Sequence, residues 1–96
     1  MKVRFTQRAQ RDLTEIYDFV SQDSSAAATR LVAGLVDRAR QLGDHPFAGR
    51  QTDEPDARVV VAPRVRYFIF YTITADEIHI THIRHTSRQR PRNWGR

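Results

Sequence analysis

The chain has 96 residues, a length that holds one domain and excludes the large enzyme barrels, kinases and full dinucleotide-binding enzymes. It has no cysteine, which removes disulfide scaffolds, thiol nucleophiles and thiolate zinc sites. The formal net charge is +5 and unevenly placed: residues 1–77 carry 11 basic and 11 acidic side chains, whereas residues 78–96 carry five arginines and no acid.

Fifteen of the 16 basic residues are arginine, which suits bidentate contact with phosphate or carboxylate, although GC-rich coding gives the same bias. A basic C-terminal stretch points to a nucleic-acid or acidic protein partner. No apolar run approaches the length of a membrane span or a secretory leader, so the expectation is a soluble, cytoplasmic chain with no membrane partner.

Lys2–Phe5 is short, apolar at alternate positions, and predicted as a strand. Thr6 is placed to cap a helix over about Arg8–Ser21, where Ala9, Leu13, Ile16, Tyr17 and Val20 share one face. The polar stretch from Ser21 to Ser25 breaks that pattern, and Asp23 or Ser24 can cap a second helix over Ser25–Leu42. Its stripe is Ala28, Leu31, Leu35, Ala39 and Leu42, and Gly43 stands just past its end. Asp44–Asp56, with Pro46, Gly49 and Pro55, reads as a loop. Three strands follow: Ala57–Ala62, Val65–Ile73 and Ile78–His85. In the middle one Tyr67, Ile69, Tyr71 and Ile73 oppose Phe68, Phe70 and Thr72. In the last, apolar parity changes between Ile80 and Ile83, which predicts a bulge near Thr81.

The fold class is therefore α+β, in the order β-α-α-β-β-β, with a helical hairpin packed on a small antiparallel sheet. The central strand is apolar on both faces. Its second face is covered by the loop and the tail, or it is a partner surface.

The quoted pieces resemble the RelE/ParE superfamily of bacterial toxins from type II toxin–antitoxin modules. The resemblance spans residues 3 to 88. It rests on Val3-Arg4-Phe5-Thr6, on Ala9, Asp12-Leu13 and Ile16, and on Ala26–Ala28 with Leu31 and Leu42. Further along it rests on Pro46 with Gly49-Arg50 (Pro-x-x-Gly-Arg), on Arg66–Tyr71, and on Ile78, Ile80, Ile83, His85 and Arg88. It implies a single toxin domain over residues 1–88, a basic tail over 89–96, a cognate antitoxin as partner in a hetero-oligomer, and one of two activities. RelE-like members cut mRNA in the ribosomal A site, and ParE-like members inhibit DNA gyrase.

A metal-free ribonuclease needs proton-transfer groups and positive charge for the phosphorane. RelE-like strands carry Tyr-Arg-x-x-Tyr, and here that slot reads Tyr67-Phe68-Ile69-Phe70-Tyr71. Lysine is absent beyond Lys2, and Thr86 follows His85 where a His-Tyr pair would stand. These departures favour the ParE-like branch and a binding activity rather than an enzyme. The expected target contacts are Arg84, His85, Arg88, Arg90 and Arg92. The ribonuclease alternative would use Arg66, Arg84, His85 and Arg88, with Glu54 as the carboxylate base, and ribosome and mRNA as partners. His85 also has a bland reading as a hydrogen-bonded strand-end residue.

The sequence calls for no cofactor and no metal. His79, His82 and His85 are spaced by three, which on a regular strand turns His82 away from the other two. No Gly-x-Ser-x-Gly is present, and Gly43 and Gly49 form no phosphate loop. Trp94 among arginines can stack on a base or dock on its own domain. Asp53, Glu54 and Asp56 read as a solvated acidic loop.

Overall fold

The structure is a computed structural model, and it describes residues 1–62, 64 and 66–86. The elements are β1 (Lys2–Phe5), α1 (Gln7–Ser21), α2 (Ser25–Gln41), β2 (Arg50–Gln51), β3 (Ala57–Ala62), β4 (Tyr67–Ile73) and β5 (Glu77–His85). Both helices start on hydroxyl caps. Thr6 accepts from the Ala9 amide and Ser24 from the Ala27 amide, each at 3.1 Å. No helix among the described residues is long and apolar enough to cross a membrane.

The five strands form one sheet in the order β1-β5-β4-β3-β2. The β5–β4–β3 meander is antiparallel, as expected, and β2 extends it within the stretch predicted as loop. The sheet as a whole is mixed, because β1 lies parallel to β5, with Lys2 opposite Glu77 and Phe5 opposite Ile80. The two helices are the crossover that separates β1 from the rest. The β1–β5 seam is reinforced by Arg4 Nε on Glu77 Oε2 at 2.8 Å, while Glu77 Oε1 lies 2.9 Å from His79 Nε2. These two partners, His79 first, hold the Glu77 carboxyl below its ordinary range.

The core lies between the helices and one sheet face. Ala9, Leu35, Ala39 and Leu42 meet Tyr67, Ile69, Tyr71, Ile78, Ile80 and Ile83. The small Ala9 and Ala39 let the helices approach the sheet closely. Gly43 follows α2 as expected, but for close approach rather than a left-handed turn. A Cβ there would come within 2.5 Å of the Met1 carbonyl, and the N-terminal ammonium donates to the Gly43 carbonyl at 2.8 Å.

The predicted bulge is present at Thr81. Phe70 stands opposite His82 and Tyr71 opposite Ile80, leaving Thr81 as the extra residue. It keeps Ile78, Ile80 and Ile83 all on the core face. The same shift corrects the histidine expectation. His79 pairs with Thr72 and His82 with Phe70, so both lie on the outer face, and His85, opposite Tyr67, lies on the helix side. Among the described residues no set of three His, Asp or Glu side chains can hold a metal ion.

One strand boundary also moves. The predicted Val65–Ile73 strand starts at Tyr67, because Arg66 takes a left-handed φ of 60° in the turn before it. That turn is closed by the Arg66 amide on the Ala62 carbonyl and is tied to the end of β5 by the Thr86 amide on the Arg66 carbonyl, both at 2.9 Å.

Candidate functional site

β5 outruns its parallel neighbour. β1 stops at Phe5, opposite Ile80, so the backbone of β5 beyond Ile80 needs partners from elsewhere. The start of α1 supplies them. The Thr6 amide donates to the Ile80 carbonyl at 3.0 Å, and the Thr6 hydroxyl donates to the Thr81 carbonyl at 3.1 Å. Further along α1 the Asp12 carboxylate accepts the Ile83 amide at 3.0 Å. These contacts fix the distance between α1 and the end of β5.

They leave an open groove of about 550 Å³, with Arg8, Glu15 and Phe19 from α1 on one side and Tyr67, Arg84 and His85 on the other. The His85 ring meets the Tyr67 ring edge-on, with centroids 5.1 Å apart. Arg84 and His85 border the groove from opposite directions of one strand, since Arg84 is opposite Phe68 and His85 opposite Tyr67. On the outer face the His82 ring lies flat on Phe70, with centroids 4.2 Å apart. Burial, then the charges of Arg8 and Arg84, push its pKa down to about 4, so it is neutral at pH 7.

Of the residues singled out from sequence, Arg84 and His85 share this groove. Arg66 does not line it, but is exposed in the adjoining turn. Arg88, Arg90, Arg92 and Trp94 lie outside the described residues, as does the whole 89–96 tail. Glu54 is at the wrong end of the sheet to serve His85. Ala57, just after it, is level with Thr72, whereas His85 is level with Tyr67, five strand positions or about 17 Å away. The carboxylates that do line the groove are Asp12 and Glu15. Arg8, Asp12, Glu15 and Phe19 recur at helical spacing beside the core stripe, and that second stripe was the legible signal for this wall.

The opposite end of the sheet is built around Tyr71. Its hydroxyl accepts the Gly49 amide and donates to the Pro46 carbonyl, both at 2.8 Å. A Cβ on Gly49 would come within 2.6 Å of that hydroxyl and 2.7 Å of the Val59 carbonyl. Arg58 donates to the Gly49 carbonyl at 2.7 Å and its guanidinium lies 4.9 Å above the Phe47 ring. The Pro-x-x-Gly-Arg segment is thereby clamped to the sheet through Pro46 and Gly49.

A helical hairpin packed on a mixed five-stranded sheet is the fold this chain shares with solved toxins of type II modules. Residues 3–90 match the family "ParE toxin of type II toxin-antitoxin system, parDE", and the chain belongs to this family, within the RelE/ParE superfamily. It is 37% identical over 87 residues to Toxin RelE2 of Caulobacter vibrioides, covering 91% of this chain and 97% of that protein. Among solved structures it superposes with a TM-score of 0.81 and 26% identity on a chain of the chromosomal ParDE TA system from P. aeruginosa, covering 91% of this chain and 97% of that one. The isolated E. coli RelE toxin matches with a TM-score of 0.59 and 15% identity, over 92% of this chain and 86% of that one, a likeness of fold alone.

Proposed function

We propose that this type II toxin arrests growth by binding DNA gyrase, and that a cognate antitoxin neutralises it in a cytoplasmic hetero-oligomer. Arg84 and His85 at the groove, continued by Arg88, Arg90 and Arg92, make the target contact. The observation that carries the reading is Phe68, which stands opposite Arg84 in the slot where RelE-like strands carry arginine, so that strand offers no cation there. Phosphoryl-transfer chemistry needs its acid–base group and its cation within hydrogen-bond reach of one phosphate. A binding surface has no such requirement. The distance of Glu54 from His85 supports the same reading.

The test is induced expression without antitoxin, with pulse labelling of DNA and protein synthesis, followed by a supercoiling assay with purified gyrase. DNA synthesis falling first, with double-strand breaks and inhibited supercoiling, is the expected result. Protein synthesis falling first, with codon-phased mRNA cuts, would assign the chain to the ribonuclease branch and make His85 and Arg66 the next residues to replace.

A further inference from the structure

Phe47 is the most exposed large apolar side chain among the described residues, at 69%. It is nevertheless held in place. The residue before it is tied by its carbonyl to the Tyr71 hydroxyl, and Gly49, two residues on, is tied by its amide to the same hydroxyl. Arg58 then bonds the Gly49 carbonyl and covers one side of the ring. The fold uses Pro46 and Gly49 in this clamp and gains little burial from the aromatic ring between them. A fixed, outward aromatic beside an arginine has the composition of an interface centre, with little ordering entropy left to lose on binding.

Beside the ring is a cleft of about 440 Å³, with Phe47, Pro55 and Ile73 as apolar lining and Asp53, Glu54 and Asp56 as charged lining. Its wall is also self-bonded. The Thr52 amide and hydroxyl both reach the Ala57 carbonyl, at 3.0 and 3.2 Å, and the Glu54 amide donates to the Thr52 hydroxyl at 3.2 Å. Three acidic residues line the cleft against one arginine, whose guanidinium Gly49 and Phe47 already engage. That field repels nucleic-acid phosphates and attracts lysine and arginine.

We infer that Phe47 and its cleft form a second docking contact of the toxin, one that inserts the ring into an apolar pocket of the target protein while a lysine or arginine beside that pocket seats among Asp53, Glu54 and Asp56. The contact lies at the other end of the sheet from Arg84 and His85, so one target is held at both ends of the sheet. The inference rests on the gyrase reading above, and commits to a protein occupant.

The experiment is a supercoiling-inhibition titration with purified gyrase, comparing the full-length wild type, Phe47→Ala, and the double variant Asp53→Lys/Glu54→Lys. Phe47→Ala is expected to raise the half-inhibiting concentration at least about tenfold, the size of an interface hot spot, while the thermal midpoint stays within about 3 °C. The double variant is expected to weaken inhibition at low salt, with the difference shrinking as salt rises. Both replaced carboxylates are on exposed residues, so this variant carries the test even where Phe47→Ala unfolds. Inhibition by both variants within about twofold of the wild type overturns the inference and leaves the gyrase reading standing. A wild-type dimer that Phe47→Ala dissociates in sedimentation velocity overturns it in favour of a second copy as occupant. Loss of duplex-DNA binding in Phe47→Ala overturns it in favour of nucleic acid. A wild type that leaves gyrase untouched overturns the target reading and this contact with it.

Discussion

The two ends of the sheet are built differently. At the Tyr71 end one hydroxyl and one guanidinium hold a short loop through three hydrogen bonds of 2.7–2.8 Å, and a glycine lies where any Cβ would collide. At the His85 end helix and strand are joined by Thr6 and Asp12, and between them charges of both signs face an open groove. The first arrangement tolerates little change in shape. The second holds its spacing with a few bonds and leaves its surface chemistry adjustable. Much of what makes the sequence resemble its family (Pro46, Gly49, Tyr71, Thr6 and Asp12) is scaffolding. The two residues proposed above for target contact that the structure describes, Arg84 and His85, stand where that scaffolding holds the end of β5, and carry a weaker motif of their own.

The largest expected effect breaks the rigid end. Gly49→Ala forces a methyl against the Tyr71 hydroxyl and the Val59 carbonyl, and should cost about 3 kcal/mol in urea unfolding. Combining it with Tyr71→Phe should be clearly less than additive, since the two share the contact. At the groove end, Asp12→Ala leaves the Ile83 amide without its acceptor and should cost about 2 kcal/mol, whereas Asp12→Asn, which keeps an oxygen there, should cost less. If Asp12→Ala proved as costly as Gly49→Ala, the contrast between the two ends would fail.

A pH series gives a smaller effect. His82 is held near 4 when folded, against an ordinary value of 6.5, so between these values the unfolded chain binds more protons. Stability from this group is fully present above about pH 6.5, declines as pH falls toward 4, and is flat below. His82→Gln should remove that part of the slope, which chemical denaturation at stepped pH would detect. The change should be smaller than that of Asp12→Ala, because the ring is partly screened by solvent. The smallest effect lies away from both ends. Gly34 sits exposed within α2 with nothing within 4 Å of a built Cβ, so Gly34→Ala should stabilise the chain by about 0.5–1 kcal/mol and leave growth arrest unchanged.

The sequence by itself determined the elements whose signal is local. The apolar stripes Ala9-Leu13-Ile16 and Leu31-Leu35-Leu42 specified the helices, the Thr6 and Ser24 hydroxyls their starts, and the parity change between Ile80 and Ile83 the bulge at Thr81. Tertiary structure decided what depends on residues distant in the chain. The parallel β1–β5 pairing joins Lys2 to Glu77 and leaves no periodic trace in either segment, and the two-residue β2 is too short to show one. The bulge was legible, but its consequence, His82 turned onto the face of His79 and away from His85, follows from the ladder register. The separation of Glu54 from His85, and the approach of Asp12 to Ile83 across 71 positions, likewise follow from how the helices pack on the sheet. Short-range order is written in side-chain spacing and capping chemistry. Which distant groups meet is set by the one packing that buries both apolar stripes and satisfies the strand edges together.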